Sequence, residues 1–216
     1  MDNKYLYKYE DRGIYCYDGS DVLINKLCIK NEKSFQKAES MFAAIRQAEL
    51  EQNPLPGKFD FEHLKAIHHY LFQDLFSWAG NIRTVTIAKA SMFCLPQYID
   101  NYANDIFSRL RNDNYLQDLS KQEFILKLTD LFADINALHP FREGNGRTQR
   151  EFVRYIAGIN GYGLRYELVD PEENIIASHE SVNGDNSKLL KIIKSIIYKL
   201  DKQETNKFRN IMNINK

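Results

Sequence analysis

Residues 139–150 read HPFREGNGRTQR and gather, in one stretch, the groups that phosphoryl chemistry needs. Pro140 stops a preceding helix. Gly144 and Gly146, with Asn145 between them, allow backbone conformations and close approaches that a side chain would block. The stretch runs straight into another helix, so free N–H groups and the positive end of the helix dipole face outward and form an anion site. Arg147 and Arg150 stand three apart on neighbouring positions of one helix face and add two guanidinium forks for phosphate oxygens. Glu143, beside this nest, suits Mg²⁺, which takes one or two protein carboxylates and completes its shell with phosphates and water. His139 sits at the mouth of the loop, where an imidazole can take a proton from an attacking hydroxyl near neutral pH. Singly, each feature is ordinary: a histidine caps a helix, GNG makes a turn, two arginines line a solvated face. Together and in this order they imply transfer of a phosphorus-containing group from a nucleotide to a hydroxyl.

Such a loop needs rigid elements on both sides, and the pattern supplies them. Ser120 and Glu123 form a capping-box signature. Phe124, Leu128, Leu131, Ile135 and Leu138 follow at helical spacing, which predicts a buried central helix over 120–138. A second helix is expected over 147–159. Further helices are expected over 34–50, with Phe35, Ala38, Met41, Ile45 and Ala48 on one face, and from a cap at Asp60 to about Phe76. Three more are read over 97–113, 171–181 and 187–201, the last with Leu189, Ile193, Ile196 and Leu200 aligned. Residues 82–87 (IRTVTI) alternate and are β-branched, so they read as a strand. Residues 88–91 could turn it and 92–95 return, giving a lone hairpin in a mainly α chain. A hairpin is marginal by itself and must lean on helices; its exposed edge could accept a strand from another chain. Residues 1–20 are tyrosine-rich and read as an irregular arm, 21–201 as one domain, and 202–216 as a polar, frayed tail.

The 216 residues carry 29 Lys+Arg against 29 Asp+Glu, and 44% are hydrophobic. A real core is possible, and the balance argues against a generalised polyanion binder while allowing a local basic pocket. The balanced charge and the lack of a helix-turn-helix or aromatic-basic platform argue against direct nucleic-acid binding. Lys191, Lys194, Lys199 and Lys202 read as the wet side of a helix. No apolar run reaches the roughly 18–20 residues needed to span a bilayer, and the start lacks a signal-peptide pattern. The expectation is a soluble cytoplasmic protein with no membrane partner. Cys16, Cys28 and Cys94 show no metal spacing and read as unpaired thiols. His68 and His69 point about 100° apart on a helix, too far to share one ion, and at most one is assigned to packing.

At residues 139–150 the chain resembles the Fic-domain proteins, matching HxFx(D/E)GNGRxxR at every fixed position. Residues 78–83 (WAGNIR) and 21–26 (DVLINK) also look familial, and the likeness covers about 20–200. It implies a Fic-type helical bundle with a short β-hairpin flap, and protein adenylylation (AMPylation). In that reaction ATP with Mg²⁺ binds the nest, a target Ser, Thr or Tyr hydroxyl attacks the α-phosphorus, and pyrophosphate leaves. By this likeness His139 is the general base and Phe141 anchors the loop in the core. Glu143 holds Mg²⁺, Gly144, Asn145 and Gly146 cradle phosphates, and Arg147 and Arg150 grip the β and γ phosphates. Flap residues Thr86, Ile87, Ala88 and Lys89 lie near the nucleotide and pair with the target backbone. Ala90 departs from the family pattern, in which Gly often follows the Lys.

Such proteins are commonly restrained by a helix bearing (S/T)xxxE(G/N), whose Glu pairs with the first signature Arg. Only Glu143 and Glu173 are followed by Gly or Asn here, and His139 and Val169 stand four residues before them. The motif is therefore missing: either a small antitoxin partner supplies that helix, which is the favoured expectation, or the enzyme is unrestrained or degenerate in that motif. The resemblance and the length imply a stand-alone, toxin-like bacterial enzyme, with type II topoisomerase subunits as implied targets and cell filamentation as the outcome. Three alternatives remain: a Doc-like kinase, against which GNG speaks; UMP or phosphocholine transfer; and a non-enzymatic ATP- or partner-binding module, which would not need His139.

Overall fold

The computed structural model describes residues 8–9, 13–89 and 91–211, with residues 8, 9, 89, 91 and 92 described as backbone only. Among the described residues the chain order is β1 (Lys8–Tyr9), α1 (Glu32–Gln52), α2 (Phe61–Phe72), β2 (Ile87–Lys89), β3 (Ser91–Met92), α3 (Ile99–Asn112), α4 (Lys121–Leu138), α5 (Asn145–Ile159), β4 (Tyr162–Leu164), α6 (Pro171–Val182), α7 (Ser187–Ile196), β5 (Ile197–Lys199) and α8 (Lys202–Ile211). The molecule is mainly α, as expected.

The central helix α4 begins as its capping box requires. Ser120 Oγ accepts from Glu123 N (3.3 Å) while Glu123 Oε2 accepts from Ser120 N (3.1 Å). Phe124, Leu128, Leu131, Ile135 and Leu138 are all buried. Helix α4 packs on α5, and α2, α3, α6 and α7 surround the pair. Asp60 caps α2 by accepting from His63 N (2.9 Å).

Four expectations need correction. Helix α1 buries Phe35, Ala43 and Leu50, whereas Met41 and Ile45 are 54% and 50% exposed. Phe35 belongs to both the expected and the observed face, but past it the helix turns Ala43 and Leu50 inward instead of Met41 and Ile45. Helix α7 stops at Ile196, and Ile197–Lys199 after it become β5, antiparallel to β4 with Gly163 opposite Tyr198. A Cβ at Gly163 would lie 2.3 Å from the Tyr198 ring, so this pairing depends on glycine. Residues 202–211 are no frayed tail: α8 buries Thr205, Phe208 and Ile211 and packs on α5, where Gly158 makes room for Phe208. Residues 212–216 lie outside the described residues.

The fourth correction concerns the hairpin. It is shorter than expected, β2 and β3 pairing at Ala88↔Met92 and Lys89↔Ser91, while 82–86 stay outside the ladder. It is also not alone. Lys8 and Tyr9 pair with Ala88 and Ile87, so the sheet order is β1-β2-β3 and the outer edge of β2 is covered by the chain's own N-terminal segment. The arm is further tied by a Cys16↔Leu23 bridge and by the buried Tyr15. The rest of residues 1–12 lies outside the described residues. No helix among the described residues is long and apolar enough to cross a membrane. Cys16, Cys28 and Cys94 are free thiols.

Candidate active site

His139 is the C-cap of α4, in the left-handed region at φ 43°. Its Nδ1 lies 3.3 Å from the Asn136 carbonyl. A carbonyl only accepts, so Nδ1 carries the proton and Nε2 is the basic nitrogen of the ring. Phe93, just past β3, stacks on the imidazole with centroids 3.7 Å apart.

Loop 139–144 is held from beneath. Phe141 is buried and stacks on His68 (3.8 Å, interplanar 11°), as the resemblance implied. His68 Nδ1 accepts from Gly80 N (2.7 Å), so its Nε2–H donates to the Glu143 carbonyl (3.0 Å). Burial pushes the His68 pKa down to about 3, so the ring stays neutral and keeps this polarity. His69 holds the Ala79 carbonyl instead (2.9 Å). Both histidines are therefore structural, where at most one was expected to be.

Gly144, at φ 81°, is the N-cap of α5, and a Cβ there would lie 2.3 Å from the Phe72 ring. The first intrahelical bond of α5 runs from Thr148 N to Gly144 O (3.1 Å). The N–H groups of Asn145, Gly146 and Arg147 precede it and have no intrahelical acceptor, so they could hold an anion. Gly144 N–H is already given to Glu143 Oε1 (3.0 Å). The Asn145 side chain is likewise spent, bonding both the N–H (2.8 Å) and the carbonyl (2.7 Å) of Phe141. Asn145 thus shapes the loop with its side chain and offers an anion only its backbone N–H.

The two signature arginines differ. Arg147 lies over the Phe72 ring (4.8 Å) and is ion-paired with Glu39 of α1. Glu39 lies outside any (S/T)xxxE(G/N) sequence, so the motif search passes over it. Arg150 lies near the Tyr166 hydroxyl, itself a buried atom, and burial lowers the Arg150 pKa below the usual guanidinium value, with Arg147 adding repulsion. Two cavities meet at Arg150, Asn174 and Ile175. The smaller, about 150 Å³, is walled by His139, Phe93, Gly146 and Gln149; the larger, about 480 Å³, by Arg147, Glu151, Arg154 and Tyr166. Gln149 Oε1 and Asn174 Oδ1 are buried there without hydrogen-bond partners among the described residues. Base, helix N-terminus and arginine thus converge on one space.

The flap residues are less well served. Ile87 is buried in the core and its carbonyl accepts from Phe93 N (3.4 Å). Thr86, Ile87 and Ala88 do not line the two cavities, and the Lys89 side chain is outside the described atoms. Phe93, Glu39 and Asn174 were missed in the sequence because they lie far from residues 139–150 and carry no motif.

Similarity to known proteins identifies the family and the fold. A family model described as the Fic/DOC family matches residues 58–157. The probable protein adenylyltransferase Fic of Escherichia coli is 33% identical over 196 residues, covering 90% of this chain and 97% of that protein. This chain belongs to the Fic/DOC family. Protein adenylyltransferase VbhT of Bartonella schoenbuchensis is 40% identical over 174 residues, and the match covers 80% of this chain but only 36% of VbhT. The crystal structure of the N-terminal Fic domain of a putative cell filamentation protein from Bartonella quintana, with bound ADP, superposes with a TM-score of 0.81. It has 29% identity and covers 88% of this chain and 97% of that one. The Fic fold is thus shared over nearly the whole described chain.

Proposed function

We propose that this Fic protein transfers AMP from ATP to a hydroxyl of a target protein. The observation that carries the reading is His139, its Nδ1 fixed on Asn136, facing the same cavity as Arg150 and the N-terminus of α5. In the proposed step the target hydroxyl oxygen attacks the α-phosphorus and gives its proton to His139 Nε2. The bond between the α-phosphorus and its bridging oxygen breaks, and pyrophosphate leaves. The α5 N–H groups and Arg150 stabilise the phosphate charge. Names of the relatives, protein adenylyltransferases, support this donor chemistry.

Glu143 would hold Mg²⁺ as a single carboxylate, its Oε1 beside the Gly144 N–H at the start of α5, with phosphates and water completing the shell; among the described residues no group of three or more acidic, His or Cys side chains gathers into a closed cage. When bound, the ion would neutralise phosphate charge.

The target is proposed to dock at the flap, with type II topoisomerase subunits as the candidate class on the strength of the family resemblance. An antitoxin helix is proposed to dock at the larger cavity, where Leu164, Val169 and Ile175 give it apolar walls and its carboxylate pairs with Arg147, the first signature arginine, in place of Glu39. A cytoplasmic location is part of the same proposal.

The test uses purified protein, Mg²⁺, and ATP labelled separately at the α and γ phosphates, in a bacterial lysate. Label from the α position on a discrete protein, lost in His139→Ala while nucleotide binding persists, supports AMP transfer. Label from γ alone would make the protein a kinase. An unchanged biological effect in His139→Ala would favour a binding module.

A further inference from the structure

One buried guanidinium joins the feet of the flap to the base. Arg83 is 1% exposed. Its Nε donates to the His139 carbonyl (2.8 Å), its Nη1 to the Val85 carbonyl (2.7 Å) and its Nη2 to the Cys94 carbonyl. Its backbone N–H donates to the Pro140 carbonyl (2.9 Å). Val85 enters the hairpin and Cys94 leaves it, and Cys94 N–H donates to Ala137 in the last turn of α4 (3.0 Å). Both feet of the flap, the end of α4 and both carbonyls around the His139–Pro140 step are thus tied together, four of these contacts coming from Arg83.

A charge in this position needs a reason. The three side-chain partners are neutral carbonyls, and burial lowers the Arg83 pKa to about 10. An apolar side chain would fill the same space without that penalty. What it could not do is hold three carbonyls from separate segments at fixed separations, a task suited to a planar five-donor fork. Among the segments it joins, His139 needs holding, because a left-handed φ persists in a non-glycine residue only when its surroundings over-determine it.

We infer that Arg83 is a positioning residue for transfer. It holds the His139 backbone and the flap feet as one unit, so that the basic nitrogen and a hydroxyl docked on the flap keep a fixed register. The inference rests on the AMP-transfer reading for its kinetic consequence, and on geometry alone for its effect on the imidazole.

The test compares wild type with Arg83→Lys and Arg83→Gln. Arg83→Lys keeps the charge but not the fork. The expected result is a fall in kcat for α-phosphate transfer of about 100-fold, the scale of a misplacement near 1 Å, with the Kd of a non-hydrolysable ATP analogue changed less than about threefold. The ¹⁵N shifts of the His139 ring should move from a single Nδ1–H tautomer toward a mixture. Wild-type kcat with an unchanged His139 spectrum would overturn the inference. So would loss of nucleotide binding and transfer in proportion to lost thermal stability, the mark of a merely structural arginine. If Arg83→Gln does not fold, Arg83→Lys carries both comparisons. If wild type shows no AMP transfer, the functional reading fails, while the imidazole spectrum of Arg83→Lys still decides the positioning role.

Discussion

Glu39 of α1 is ion-paired with Arg147, the first arginine of the signature, across the interface between α1 and the start of α5. The carboxylate and a phosphate would compete for the same guanidinium fork. Glu39→Gln should therefore tighten an ATP analogue about tenfold, near 1.4 kcal/mol, in line with a charge-assisted bond. Calorimetric titration measures this directly, and an unchanged or weaker affinity would mean that Glu39 aims Arg147 at the nucleotide instead.

The outer edge of β2 is covered by Lys8 and Tyr9. A target strand that pairs with β2 must displace them. Deleting residues 1–12 should raise the labelling rate at subsaturating target about fivefold, for a pairing worth about 1 kcal/mol. An unchanged rate would place the target on the β3 edge, and quantitative labelling time courses separate the two.

Gly144 combines a φ of 81° with a Cβ direction blocked by Phe72. Gly144→Ala should lose about 2–4 kcal/mol through strain and overpacking. A fall in Tm of roughly 5–10 °C is expected by scanning calorimetry. Nucleotide affinity should fall with it, because Gly144 starts the helix whose first N–H groups could hold an anion.

His68 has a folded pKa of about 3 against about 6.5 in the unfolded chain. Between these values the unfolded state binds a proton that the folded state refuses. Stability is therefore full above about pH 6.5 and declines as the pH falls toward 3. His63, also lowered by burial, adds in the same sense. Urea titrations should show a loss of about 2 kcal/mol from His68 between pH 6.5 and 5. His68→Gln, which can keep both hydrogen bonds, should show a shallower dependence.

Phe208 packs into the space left by Gly158 and against Tyr155 (6.0 Å between ring centroids). Phe208→Ala should cost about 2–4 kcal/mol. Hydrogen exchange should quicken first in α8, since its burial rests on Thr205, Phe208 and Ile211 alone.

Residues 139–150 were legible in the sequence because their chemistry is local: glycines, a helix start and charged groups lie within one loop and one helical turn. The capping box of α4 and the cap at Asp60 were legible for the same reason. Long-range relationships were not. No periodicity says whether Met41 and Ile45 or Ala43 and Leu50 of α1 face inward, or that Glu39 meets Arg147 108 positions away. The polar composition of α8 hid three buried residues, one of which, Phe208, depends on a glycine in another helix. The covered edge of β2 could not be read either, because strand pairing is decided by backbone groups that every residue shares. Asn145 shows the division most sharply. Sequence placed it in the phosphate nest, and tertiary structure spent its amide on Phe141, because a buried amide takes the partners the packed loop brings within reach.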